Sequence, residues 1–426
     1  MARHPLLSVG SIIASMSLNA VGSGIIFTYV PYILTHNAFP AWVAGSMVTA
    51  IAGGGIAGCL IAGPLIRRVG HARAFACFMA IVILSVWIIA LGVQPAAWIG
   101  SRVLYGVASN GIFIVAQSWL NEAAENHWRG RAMSFFYMAY VLSLGIGAFA
   151  FGFMPSDGNL PALMAISFAA LAVLPISLTR LKTPPPPEWV EINLRAAWRI
   201  SPVGMVGILT AGGLTMLVQG FTPIYVTRNG FGQQDVALLT FLMQFGMLGV
   251  QYPLGMLSDR IDRRRVLIGT CLLIAGMAAI AAMIGFGQFA LVALIFAIWA
   301  GATETIYSVA NAHANDRAEP GTFVALASTM LVAWSTAAFV APLVVTTLTP
   351  VFGPKTFMYA VVVLALCYAV FVAIRLTMRE AIPPEETDQF EIKTAQVPDV
   401  TALVVPEEEL TGEDARKNQT VSSFSE

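Results

Sequence analysis

The chain has 426 residues, of which 57% are hydrophobic and 11% charged, and its formal net charge is zero. Soluble proteins carry roughly 25% charged residues, so this composition cannot cover a water-facing surface and most of the chain is solvated by lipid. The balanced charge gives no global field to attract nucleic acid, and no nucleic-acid partner is expected.

A membrane-spanning helix takes ~20 mostly apolar residues. Twelve such runs follow one another at 6–29, 41–65, 74–93, 96–119, 132–153, 161–179, 201–226, 235–256, 266–285, 288–309, 322–347 and 355–376. The opening MARHPLL leads into the first run without an A-x-A-like cleavage site and is read as a retained span. Helices are expected throughout, because an open strand in lipid leaves backbone N–H and C=O groups unpaired. The glycines of GGGIAG (53–58), GIGAFAFG (145–152) and AGG (211–213) suit close helix packing.

Basic residues set the orientation. With the N-terminus inside, the inner segments hold Arg3, Arg67, Arg68, Arg73, Arg129, Arg131, Arg180, Lys182, Arg195, Arg199, Arg260, Arg263, Arg264, Arg265 and Arg317. The outer segments hold Arg228 and Lys355. Both termini are therefore expected in the cytoplasm, and the compact loops fit a bacterial inner membrane.

Between the sixth and seventh spans lies LKTPPPPEWVEINLRAAWR, Leu181 to Arg199. Its four prolines make a stiff spacer. Trp189, Ile192, Leu194 and Trp198 then predict an amphipathic helix lying on the membrane surface. Beyond Met378 the chain is rich in Glu, Pro, Thr and Ser and holds about half of all the acids, a composition that predicts a disordered cytoplasmic tail. The expected organisation is a six-helix half at 1–180, a linker at 181–200, a second half at 201–378 and the tail at 379–426.

Charge concentrates in one short connection, GMLSDRIDRRR, Gly255 to Arg265. A related segment, GPLIRRVGHAR, begins 192 positions earlier at Gly63. A second echo pairs QSWLN (117–121) with YSVAN (307–311) at an offset of 190. Two echoes at nearly one offset point to an internal duplication, a recurring transporter design.

The stretch GMLSDRIDRRR resembles the cytoplasmic loop signature G-x-L-a-D-r-x-G-r-[rk] of the major facilitator superfamily. Gly255, Leu257, Asp259, Arg260, Arg263 and Arg264 match it, and Asp262 stands where its second Gly is usual. In the first half Gly63, Leu65, Arg68 and Gly70 match, with Arg67 in place of the Asp. Arg102-x-x-x-Gly106 in SRVLYGVASNG is similar to the family's charged fourth-helix motif. The resemblance covers residues 6 to about 378 and leaves the tail outside. It implies an all-α integral membrane protein of twelve transmembrane helices in two pseudo-symmetric halves, which rock about a central site. It also makes Gly63, Arg67, Arg68, Gly70, Gly255, Asp259, Arg260, Arg263 and Arg264 candidates for a cytoplasmic gate. A gate of this kind locks by ion pairs and by aiming an acid at a helix N-terminus. The family's fifth-span Gly-Pro-Gly-Gly-type pattern of drug–proton antiporters is absent: LSLGIGAFAFGFMP has no internal Pro, which argues against multidrug efflux.

Ionisable groups deep in a span are costly and mark function by default. Arg102 in the fourth span and Glu304 in the tenth are the two such groups, one to hold an anionic group and one to carry a proton. The bland alternative for both is snorkelling to an interface. Asn19, Asn110, Tyr140, Gln219, Gln244 and Trp334 add polar and aromatic cavity candidates of the kind that small-molecule sites combine. Tyr29 and Tyr225 belong to the same wider set.

No phosphate-loop motif, catalytic triad or metal-type Cys/His spacing is present; no enzyme activity, cofactor or metal is expected. Cys59, Cys77, Cys271 and Cys367 read as small apolar residues. His127 and His313, at equivalent inner span ends, read as solvated loop histidines or as pH sensors. These features together predict a monomeric, proton-coupled secondary transporter of a small organic solute. The rival readings are a non-transporting sensor or assembly scaffold on the same fold, with the tail as its working part, and a lipid-handling protein.

Overall fold

The computed structural model describes residues 5–124, 128–179, 184, 192–284, 288–318, 322–378, 390 and 393. Among them are thirteen helices and no strand. In the first half these are α1 (Pro5–His36), α2 (Ala41–Val69), α3 (His71–Ala90), α4 (Pro95–Ala123), α5 (Arg129–Phe151) and α6 (Leu160–Leu178). A short α7 (Leu194–Ile200) precedes α8 (Pro202–Arg228), α9 (Gln233–Ser258), α10 (Arg263–Met283), α11 (Phe289–Asn315), α12 (Phe323–Phe352) and α13 (Thr356–Met378). All except α7 are long and apolar enough to cross a membrane, so the protein is an integral, multi-pass membrane protein.

The twelve expected spans are present, with shifted ends. The first runs to His36, seven residues past its expected end, because the helix continues through Pro31. An isolated proline is tolerated where neighbouring groups satisfy the freed carbonyl. Local chemistry sets several other boundaries. Proline occupies the first turn of α4 and α8, where its missing N–H costs nothing. Asn193 caps α7 by accepting from Ala196 N at 3.0 Å, and Ser201 caps α8 by accepting from Gly204 N at 3.0 Å. A single residue, Gly70 at φ 81°, separates α2 from α3, a conformation that glycine adopts without steric cost. The surface helix is shorter than expected, since α7 holds Leu194 and Trp198 but begins after Ile192. Trp189, the linker prolines other than Pro184, His127, and the tail other than Phe390 and Lys393 lie outside the described residues.

The two halves repeat one packing pattern. In the first, α2 lies on α4, α1 on α5 and α6, and α3 on α4 and α6; in the second, α9 lies on α11, α8 on α12 and α13, and α10 on α11 and α13. Glycines set the tightest of these approaches. A Cβ added to Gly54 would lie 2.1 Å from the Val103 carbonyl oxygen, and one on Gly106 would lie 2.1 Å from that of Ile51. Their counterparts Gly246 and Gly301 would meet the carbonyls of Ala297 and Gly246 at 2.2 Å each. The duplication is thus present in helix contacts as well as in sequence.

One end of the bundle carries the α2–α3, α4–α5 and α9–α10 connections with their arginines; it is called here the basic end, and the opposite end the far end. The halves meet at the far end. A Cβ on Gly152, just after α5, would press on Ala237 of α9, one on Gly45 of α2 on Thr346 of α12, and one on Gly220 of α8 on Val48 of α2. The far-end residues of the first half, including Ile25 to Leu34, Val43 to Ala52 and Trp98, share one apolar core with the second half. The basic-end residues of the first half form a separate core, in which Leu331 of α12 is the one second-half member among the described residues.

Candidate functional site

Arg102 is 1% exposed, on the first third of α4 from the far end. It therefore does not snorkel. Its Nη2 donates to Ser101 Oγ at 3.4 Å, and its guanidinium carbon lies 5.1 Å from the centre of the Tyr105 ring, within cation–π range. Its Nε and Nη1 have no hydrogen-bond partner among the described residues. Each unmade bond to a buried charged group is costly, so these two donors could take an anionic group. Tyr105, three residues on along the same face of α4, points at α1: its hydroxyl donates to Ser23 Oγ at 2.7 Å, and Ser23 in turn donates to the Asn19 carbonyl at 2.9 Å. Asn19 is 2% exposed, and its side-chain oxygen accepts nothing from the described residues.

Glu304 is also 1% exposed, and Thr215 of α8 donates to its Oε1 at 3.3 Å. It lies fifteen residues into α11 from the far end, whereas Arg102 lies seven residues into α4. At 1.5 Å per residue the two charges differ in depth by about 12 Å. The two charges do not form an ion pair with each other.

The neutral candidates divide by role. Gln244 of α9 donates to Gln219 Oε1 of α8 at 3.2 Å, and Gln219 Nε2 reaches Met247 Sδ at 3.3 Å. Gly145 of α5 faces the Gln244 side chain, so this pair lies at the contact between halves. Trp334 of α12 is buried, and its indole N–H has no hydrogen-bond partner among the described residues. Tyr140 of α5 stacks edge-on to Phe113 at 4.9 Å. The Asn110 amide donates to the Gly55 carbonyl at 2.9 Å and to Cys59 Sγ at 3.3 Å, tying α4 to α2. A cavity of about 590 Å³ lined by Tyr32, His36, Phe39, Arg228 and Phe231 opens at the far end, and none of these candidates lines it.

The gate candidates of the second half form a connected set. Asp262, the residue standing in for glycine, caps α10: its Oδ1 accepts from Arg264 N at 2.9 Å and its Oδ2 from Arg264 Nη2 at 2.7 Å. Burial works against the charge, but these bonds outweigh it and hold the carboxyl below its ordinary value. Arg264 Nη1 also reaches the Arg375 carbonyl of α13 at 3.4 Å. Arg263 grips Asp316 at the end of α11, and its Nη1 lies 3.8 Å from Asp259. Asp259 also accepts from the backbone N–H of Phe390. Arg260 is exposed at the turn. In the first half a Cβ on Gly63 would be in ordinary contact with the Arg67 guanidinium at 3.5 Å, and Arg68 is exposed. His313, read as a loop histidine, is instead 5% exposed inside α11.

Sequence reasoning missed Tyr105, Ser23, Thr215, Asp316 and Phe390. Tyr105 was signalled by its spacing of three from Arg102, and Asp316 by being an acid at a basic helix end. Thr215 and Phe390 carry no local signal.

The family model described as Major Facilitator Superfamily matches residues 12–331 and 205–410. An uncharacterized MFS-type transporter of Yersinia pestis (strain Pestoides F) is 26% identical over 339 residues, covering 78% of this chain and 86% of its own length. One from Enterobacter sp. (strain 638) is 25% identical over 343 residues, with the same coverage. Among solved structures, the nucleoside transporter NupG superposes with a TM-score of 0.68 at 11% identity, covering 87% of this chain and 98% of its own.

Proposed function

The chain belongs to the major facilitator superfamily, and we propose that it is a proton-coupled secondary transporter that carries a small organic solute by alternating access. The observation that supports this reading best is the division of the apolar core. One cluster joins both halves at the far end, and a second belongs to the first half at the basic end. Two six-helix halves, 1–180 and 201–378, that share one core at the far end and meet at the basic end through Leu331 in the first half's own core suit rocking about a central site. By the positive-inside rule the basic end faces the cytoplasm, with both termini on that side of a bacterial inner membrane. The protein acts as a monomer.

Arg102 receives the anionic group of the solute on its two free donors, with Tyr105 holding the guanidinium plane. Glu304, some 12 Å deeper towards the basic end by helix rise, loads and releases the proton. Gln219 and Gln244 respond to the movement, because they lie where the halves touch.

The test is transport in proteoliposomes. A thermal-shift panel of sugars, amino acids, nucleosides, organic anions and drugs selects the solute, since a compound at 100 times its Kd stabilises the fold by about 2.7 kcal/mol. Uptake of that compound under an imposed pH gradient should fall at least tenfold in Arg102→Ala. Glu304→Gln should lose uphill accumulation and keep exchange. Wild-type uptake in both variants would overturn the proposal.

A further inference from the structure

One stretch of the sequence recurs at the far end. PYILTHNAF, 31–39, and PIYVTRNGF, 223–231, share Pro, Thr, Asn and Phe at an offset of 192. Each ends the first helix of its half with the same turn. Asn37, Ala38 and Phe39 donate their N–H groups to the carbonyls of Ile33, Thr35 and Leu34, and Asn229, Gly230 and Phe231 donate theirs to the equivalent Tyr225, Thr227 and Val226. The third residue of each turn is left-handed, Ala38 at φ 57° and Gly230 at φ 89°, a conformation that ends helices.

Both turns line the far-end cavity of about 590 Å³, a volume in the range of small-molecule sites. The first half contributes Thr35, His36 and Phe39, and the second contributes their counterparts Thr227, Arg228 and Phe231. Tyr32 adds a ring to the wall, stacked on His36 at 5.5 Å and 14°.

The two repeats differ in the groups that would hold a ligand. Thr227 Oγ1 donates to the Pro223 carbonyl at 2.7 Å, whereas the buried Thr35 Oγ1 has no partner among the described residues. Arg228 stands where the first repeat has histidine, and its bond across the seam, Nη2 to the Phe39 carbonyl, is long at 3.4 Å. Among the described residues no carboxylate lines the cavity. Asp235, just beyond it, accepts from Gly232 N at 3.3 Å and caps α9. Three carbonyls at the end of each helix are taken up by the turns, which limits their repulsion of an anion. A guanidinium, a hydroxyl and several flat rings in one cavity match a flat ring that carries a carboxylate.

Behind the cavity, aromatic side chains lead towards Arg102. Tyr32 packs on Phe151 at 5.7 Å, Phe151 on Tyr29 at 5.7 Å and Tyr29 on Trp98 at 6.1 Å. All four are buried, and Trp98 lies one turn before Arg102 on α4. 

We propose that the far-end cavity is an outer binding site for an aromatic carboxylate. Arg228 takes its charge, Thr35 adds a hydrogen bond, and its ring lies among Tyr32, Phe39 and Phe231. That the same compound passes on to Arg102 rests on the transport reading above; the outer site itself rests on this geometry.

The experiment uses Gly232→Cys in full-length protein with the four native cysteines replaced by alanine. Gly232 lines the cavity, and a Cβ there meets only Asp235 Oδ2, at 3.8 Å. Modification of the introduced thiol by N-ethylmaleimide is timed in nanodiscs, with benzoate as probe and benzyl alcohol as its uncharged counterpart. Benzoate should slow modification at least threefold and saturably, and benzyl alcohol should leave it unchanged. The protection should vanish in Arg228→Gln and persist in Arg228→Lys and in Arg102→Gln. The outer site is overturned if benzoate gives no protection, if benzyl alcohol protects equally, or if protection survives Arg228→Gln. It is overturned also if Arg102→Gln abolishes protection, since the effect would then come from the inner site. If the expected pattern holds but proteoliposomes take up no benzoate, the outer site stands and the passage of this compound to Arg102 is overturned alone.

Discussion

Arg263 and Asp316 are joined by two hydrogen bonds, Nε to Oδ2 at 2.7 Å and Nη2 to Oδ1 at 3.4 Å, with side chains 3% and 2% exposed. The pair ties the start of α10 to the end of α11, fixing the turn that presents Asp259. Removing one partner of a buried pair leaves a charge uncompensated and costs about 3–5 kcal/mol, whereas replacing both by apolar residues of similar volume costs far less. Asp316→Ala should therefore lower the thermal transition in detergent strongly. The double variant Arg263→Met with Asp316→Leu should recover most of the loss, and additive losses would show that the two residues act independently.

Glycine substitutions should separate packing within a half from contact between halves. A Cβ on Gly147 would stand 2.0 Å from the Val21 carbonyl oxygen of α1, a backbone atom that no rotamer change can move. Gly147→Ala should lose at least about 1–3 kcal/mol, the usual range for overpacking. At Gly145 the nearest atoms belong to the Gln244 side chain, at 3.2 Å, which can turn aside. Gly145→Ala should melt close to wild type. Equal losses at the two sites would contradict this division.

Asp262 gives a pH signature. Its carboxyl is held below 3.8 when folded, so its stabilising effect is fully present above its unfolded value and is lost as the pH falls through the lower folded value. Asp262→Ala should cost about 1 kcal/mol at neutral pH, the usual worth of an N-cap. The difference from wild type should stay level down to about pH 5 and shrink in more acid solution. A difference that grew as pH fell would reverse the assignment.

Tyr105→Phe removes the 2.7 Å bond to Ser23 and keeps the ring over which Arg102 lies. Ser23 retains its bond to the Asn19 carbonyl, while the Tyr105 contact with the Ser109 side chain is also lost. The expected loss of stability is about 0.5–1.5 kcal/mol, that of one net hydrogen bond. Tyr105→Ala also removes the ring. It should weaken solute binding several-fold more than Tyr105→Phe, as read by the thermal shift of the selected compound. Equal binding in the two would remove the ring from the Arg102 site.

The number of spans, their order and the repeat of one half in the other were determined by the sequence alone. These depend on the lengths of apolar runs and on short motifs, and a run long enough to cross lipid must become a helix wherever it packs. The cap at Asp262 was partly open to the same reasoning, because an acid just before a helix satisfies that helix's own N–H groups. Tertiary structure alone decided which face each helix turns to which neighbour. In lipid a span is apolar all round, so no polar stripe records its rotation. That is why Thr215 opposite Glu304, Tyr105 opposite Ser23, and the Asn110 tie to α2 are legible only in three dimensions. The far-end meeting of the halves and the seat of Phe390 on Gly255 lie further still from local sequence. Each depends on residues far apart in the chain, brought together only when both bundles have formed.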